Sequence, residues 1–252
     1  MENRGLYSIH KDGESVLNYK GVLVGLALFP FYIYLFPKAF AFIIGKFEEA
    51  TGYVVSGSLV NLYYYIFLIF IVALFFGKFL INSFKSIKGS AKWYWWIAAP
   101  ILGVMADYTG NLISRIITTL LVKRTESVNQ ATVTEFFDEQ PLVVFIMAVI
   151  LAPIVEETFF RAVLFKPLAK KKHLIIPAYI ISAIGFGALH VASNAIEMGD
   201  ITELMLIVDY IPAAIILAVV YKKLNNIWGS ILTHSLINAS ALLMMTYNKL
   251  AF

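Results

Sequence analysis

The stretch LAPIVEETFFRAVLF, residues 151–165, sets two glutamates and an arginine inside an apolar run of helical length. A buried carboxylate costs several kcal/mol unless it is paired or used, so ionisable groups at membrane depth are functional candidates by default. Glu157 and Arg161 are four residues apart and share one helix face, where they can form a local charge-assisted pair. Glu156 is turned about 100° from Glu157 and has no cation in its own helix. The expected division of labour is a free carboxylate at Glu156, able to act as a general base, beside an anchored one at Glu157.

Outward from this stretch the chain stays apolar. Of its 252 residues 60% are hydrophobic and only 14% charged, against about 25% charged in soluble domains, and its mean hydropathy is +0.78. This predicts an all-α, polytopic transmembrane helix bundle. A membrane helix needs about 20 mainly apolar residues. Windows at roughly 21–45, 58–82, 93–122, 141–165, 174–195, 203–222 and 227–247 qualify, giving about seven helices, within a range of six to eight. One membrane-embedded domain over 1–252 is expected, with residues 1–19 a polar N-terminal segment that shows no signal-peptide pattern. The first membrane helix then serves as the insertion signal. The polar run Lys123 to Gln140 is the longest loop, with room for an interfacial helix.

Cysteine is absent, which removes disulfides, thiolate catalysis and Cys-ligated metals. The pI near 9.0 comes from lysines flanking hydrophobic segments, so it indicates topology rather than nucleic-acid binding. Across seven helices the N-terminal side collects fourteen Lys and Arg and the other side five, with Arg115 inside a helix. By the positive-inside rule this places the N-terminus in the cytoplasm of a multi-pass cell-membrane protein, and the C-terminus outside if seven helices is right.

Two further polar clusters stand in apolar segments. In SAIGFGALHVASN, residues 182–194, Phe186, His190 and Asn194 recur every four residues, among small residues that allow close helix approach. In NNIWGSILTHSLINAS, residues 225–240, the same spacing gives Ser230, His234 and Asn238 on one stripe. A lone histidine on such a helix is most simply a hydrogen-bonded structural residue, and Phe186 alone a core aromatic. Two helices presenting His and Asn, with a third presenting Glu, converge on catalysis: donors for an oxyanion and acceptors for a water. Asp107, Asn111 and Arg115, followed by Thr118 and Thr119, form a fourth polar line. Asp107 and Arg115 are about 12 Å apart along a helix axis and must find partners elsewhere. An inter-helix brace is the plainer reading, with Asp209 one candidate partner.

The ordered trio EExxxR, FxxxH and HxxxN resembles the CAAX protease and bacteriocin-processing family (CPBP, or Abi) of intramembrane peptidases, over Glu156 to Asn238. The resemblance implies that Glu156 activates water, that His190 helps hold it, and that Glu157 and Arg161 are the accompanying motif positions. It also implies that His234 and Asn238 stabilise the oxyanion, with Phe186 and Asn194 beside the substrate. Substrates would be membrane-associated: prenylated CAAX proteins, bacteriocin or pheromone precursors, or signalling proteins. The family has been read both as metalloproteases and as metal-free glutamate enzymes. No metal is the reading adopted, since the chain has no HExxH and its two histidines lie on different helices. The alternative is zinc held by Glu156, His190 and His234.

Two expectations complete the reading. The site should open toward the cytoplasmic half, and it must overcome a mismatch in depth. On straight helices His190 lies roughly 24 Å from the lysine-rich end, Glu156 about 15 Å and His234 about 10 Å. Tilt, a longer fifth helix, or kinks near Pro153 and Pro177 would have to close the gap. The competing functions are a non-catalytic immunity or scaffold protein that binds a peptide or signalling partner through the same cavity, and an ion-coupled transporter. Against the latter, the halves show no matched broken helices.

Overall fold

The computed structural model of the protein describes residues 2–9, 15–124 and 126–251, and helix dominates them. Three short antiparallel strands, β1 (Glu2–Arg4), β2 (Tyr7–Ile9) and β3 (Ser15–Leu17), precede the helices in the order β1-β2-β3. The polar composition of this segment gives no sign of these strands. Tyr7, Val16 and Leu17 are buried, and Asn82 donates a hydrogen bond to the Tyr7 hydroxyl at 2.8 Å.

The helices are α1 (Tyr19–Thr51), α2 (Gly57–Lys85), α3 (Trp95–Val122), α4 (Val128–Glu139), α5 (Pro141–Ala169), α6 (Lys172–Met198), α7 (Ile201–Leu224) and α8 (Ile227–Ala251). Asn18 starts α1, its side-chain oxygen accepting from the N–H groups of Lys20 and Gly21, as an N-cap should. α1, α2, α5, α6, α7 and α8 are six helices long and apolar enough to cross a membrane. The seventh window, 93–122, forms α3, which is 28 residues long but carries too many polar groups to meet the same measure. Those groups are segregated. Gly103, Asp107, Ser114 and Thr118 are buried, while Leu102, Met105, Leu112, Ile113, Ile116 and Leu120 on the other side are exposed. A small, polar inner face and an apolar outer face suit a helix with lipid outside and protein inside.

α5 is the hub. It packs against α1, α2, α6 and α8, while α3, α7 and α8 pack on one another and α6 packs on α7. Lipid tails are as apolar as leucine, so cohesion here depends on close packing and polar contacts rather than on escape from water. A Cβ on Gly187 would stand 2.5 Å from Ile207 Cγ1, and one on Gly103 2.7 Å from Thr233 Cγ2. These glycines let α6 approach α7, and α3 approach α8, more closely than alanine would. At the lysine-rich end, shared with the N-terminal strands, the bundle is closed by buried Phe76, Phe79, Phe159, Phe165 and Tyr221.

The loop after α3 does hold a helix, α4, begun by Ser127, whose hydroxyl accepts from the Gln130 N–H at 3.2 Å. Both of its ends are tied down. The Val128 N–H donates to Glu203 at 3.0 Å, and Arg124 reaches Glu203 at 2.9 Å and Asp200 at 3.3 Å. The Thr202 hydroxyl and N–H hold the Asp200 carboxyl below its ordinary range. At the far end Asp138 pairs with Lys249, and Phe136 occupies the space where Gly57 has no side chain.

Candidate active site

Two π-helical turns, Ile146–Leu151 and Thr158–Phe165, flank the glutamate pair in α5, and such turns often mark functional sites. The first has a local cause. The Ala152 N–H bonds to Met147 O, five residues back. In that register the carbonyl of Ala148 would need the N–H of residue 153, which is a proline and has none. Asn238 of α8 supplies the missing donor, its Nδ2 lying 2.7 Å from Ala148 O.

Glu157 is fully buried and held from three sides. Arg161 Nε stands 3.0 Å from its Oε2, Ser230 donates to the same oxygen, and His234 Nδ1 lies 3.0 Å from Oε1. Arg161, itself fully buried, also donates to Ser182 Oγ at 2.8 Å. Its guanidinium lies over the Phe186 ring, 5.2 Å from the centroid. Glu157 thus accepts from Ser230 and His234 and is ion-paired with Arg161. Its contact to Nδ1 assigns the proton to that nitrogen, which leaves Nε2 of His234 as the nitrogen turned toward the cavity.

That nitrogen stands 3.8 Å from Oε2 of Glu156. The other oxygen of Glu156 accepts from the Tyr65 hydroxyl of α2 at 2.9 Å. Glu156 has no close cation of its own, as its place on the helix implies, and it lines a cavity of about 310 Å³ together with Tyr65, Phe186, His190, His234 and Asn238. Asn194 is not among the residues lining that cavity, although it follows His190 by one turn.

The depth mismatch is met in two ways. Pro153 follows the first π turn and so marks an irregularity in α5, whereas Pro177 falls in the first turn of the α-helical part of α6, Ile175–Met198, where a missing N–H costs nothing. On α6 it is Phe186 that faces His234, with ring centroids 5.7 Å apart, and His190 stands one turn further out, 5.0 Å from Phe186. His190 stacks on Tyr210 at 4.5 Å with the rings 11° from parallel. The Tyr210 hydroxyl is held by Ser127 and Asn129 at the start of α4. Tyr65, Tyr210 and Ser182 were not singled out in the sequence. Tyr65 closes a run of three tyrosines, and no spacing tells which of them turns inward.

The cavity extends toward the end of the bundle away from the lysine-rich one, whereas the expected opening was on the lysine-rich, cytoplasmic half. It is lined by Asn61 near the start of α2, by Asn129 and Gln130 of α4 and by Met245 near the end of α8, all far from the N-terminal strands and the lysine-rich loops. Among the described residues no three His, Cys, Asp or Glu side chains are grouped so as to hold a metal ion. Glu156, His190 and His234 are not grouped as a set of zinc ligands.

Residues 138–240 match the family described as type II CAAX prenyl endopeptidase Rce1-like. Over 99 residues the chain is 33% identical to the UPF0177 protein in the abiGi 5' region of Lactococcus lactis subsp. cremoris, covering 39% of this chain and 37% of that one. It is 32% identical over 99 residues to the UPF0177 protein YaiH of Lactococcus lactis subsp. lactis, covering 39% and 36%. It is also 27% identical over 119 residues to the "Putative membrane peptidase YdiL" of Bacillus subtilis, covering 47% and 43%. The matched stretch thus spans well under half the length of each relative. No solved structure matches. The matched segment is the one that carries all three motifs and builds the Glu156–His234 site, so the similarity to Rce1-like CAAX prenyl endopeptidases and to a putative membrane peptidase lies in the site itself.

Proposed function

We propose that the protein is an intramembrane endopeptidase that hydrolyses a peptide bond of a membrane-associated protein or peptide with a water activated by Glu156. The observation that carries this reading is the contrast between the two carboxylates. Glu157 spends its oxygens on Arg161, Ser230 and His234, whereas Glu156 has Tyr65 as its one hydrogen-bond partner among the described residues, stands 3.8 Å from His234 Nε2 and faces the cavity. Glu156 takes a proton from water as the hydroxyl oxygen attacks the scissile carbonyl, then returns that proton to the leaving amine. The nitrogens of His190 take part in no hydrogen bond among the described residues, which leaves them for that water. The negative charge that develops on the carbonyl oxygen is met by His234. With Nδ1 engaged by Glu157, it is the Nε2 side of the ring that faces this charge.

Asn238 has a second N–H beyond the one given to Ala148, and that hydrogen completes the oxyanion site. Phe186 walls the cavity beside the substrate, and Asn194 is left with a peripheral role on the same helix. The reaction needs no metal. The cell membrane is the proposed location, with the lysine-rich end and N-terminus cytoplasmic, so that the cavity faces the outer half. The test compares membrane-associated peptides in cells making the protein and in cells making Glu156→Ala. Peptides that appear only with the intact protein support the reading. Identical peptide profiles in a host where the protein produces its phenotype would favour the non-catalytic immunity or scaffold role.

A further inference from the structure

Beside the cavity at Glu156 lies a second one of about 450 Å³, continuous with it through Asp107, Asn111, Asp209 and Tyr210, which line both. Its walls carry the carboxylates of Asp107, Glu126 and Asp209 against a single cation, Arg115. Asp107 is the informative one. It is 6% exposed, and Asn111 donates to its Oδ2 at 2.9 Å. The other oxygen, Oδ1, is buried and has no hydrogen-bond partner among the described residues. Arg115 lies about 12 Å further along the helix axis and acts electrostatically on Asp209, so it does not serve Asp107. A buried carboxylate with an idle oxygen at membrane depth is costly unless a partner arrives from outside. The chemistry that completes it is a cation, delivered with the substrate.

We propose that this second cavity is a subsite for a basic residue: the ammonium or guanidinium of a substrate Lys or Arg pairs with the Asp107 carboxylate, a few residues from the cleaved bond. The inference rests on the protease reading only for that last clause, since recognition itself needs no cleavage. The continuity of the two cavities sets the register. One end of the peptide lies at Glu156 and His234, and the basic side chain extends along α3 and α8 toward Ser240 and Met244.

Binding is measured on the Glu156→Gln variant in phosphatidylcholine nanodiscs, whose zwitterionic lipid adds no attraction for cations. The probes are three pools of apolar fluorescent peptides with acetylated N-termini, alike except for one Lys, norleucine or Glu. The Lys pool should bind about tenfold or more tighter than the norleucine pool, the scale of about 1.4 kcal/mol or more for a desolvated charge pair. Asp107→Asn in that background should erase the difference, and Asp107→Glu should retain part of it. With Glu156 intact, Asp107→Asn should raise KM for Lys peptides and leave kcat unchanged. Equal binding of the Lys and norleucine pools overturns the subsite, as does a Lys preference that survives Asp107→Asn in a variant that melts like its parent. A preference that follows a free N-terminal amine instead of Lys also overturns it. Lys-selective binding with no cleavage of any pool would sink the protease reading alone, and cleavage without Lys selectivity would sink the subsite alone.

Discussion

At the residue scale Asn238 links the backbone of α5 to the chemistry. Proline at 153 and the π register leave Ala148 O without a backbone donor, and the Asn238 amide fills that place. Asn238→Ala should therefore lower stability by about 1–3 kcal/mol, the cost of leaving a buried acceptor unpaired. It should also reduce turnover, because the glutamates sit within two turns of the disturbed carbonyl. Pro153→Ala in the same chain returns an N–H and should recover part of the loss, a coupling that melting of the two single variants and the double variant would measure. Strictly additive effects would remove the link. From sequence the four-residue stripe Ser230, His234 and Asn238 was visible, and so was the Glu157–Arg161 pair. What Asn238 touches was not, because an unmet carbonyl depends on which register a helix adopts around its proline.

At the element scale α4 covers the site. It lies over the cavity through Asn129, Gln130, Val133 and Phe136, and its first residues hold the Tyr210 hydroxyl that steadies the ring stacked on His190. Its N-terminal tie is Glu203, which accepts the Val128 N–H and pairs with Arg124. Replacing Glu203 by Ala removes both contacts. Faster amide exchange over 126–139 is the expected result, with exchange at the glutamates of α5 unchanged. Protection that stays the same across α4 would show that its other end, at Asp138 and Lys249, suffices. The polar composition of 123–140 announced a surface element and allowed a helix. Its role as a cover was illegible, since the residues that clamp it, Asp200, Glu203, Tyr210 and Lys249, stand at least 75 positions along the chain from their partners in and beside α4.

At the scale of the whole molecule, hydropathy reported the helices and charge reported which ends lie together, because each is a property of segments taken singly. Which end is open was not legible. It depends on how Phe79, Phe159, Phe165 and Tyr221 from three helices pack toward the lysine-rich end, and on where α4 lies. The absence of cysteine makes the orientation testable with single cysteines. One at Asn248 should react with an impermeant maleimide in intact cells, and one at Lys170 only after lysis; the reverse pattern would invert the membrane topology. The central claim is that Glu156 activates water at the base of this cavity. Its most direct test is the hydrolysis rate of a purified substrate by the intact protein and by Glu156→Gln in the same lipid, with melting measured alongside. The account predicts a loss of about a hundredfold or more at unchanged melting temperature. A folded Glu156→Gln protein that cleaves at the full rate would contradict it.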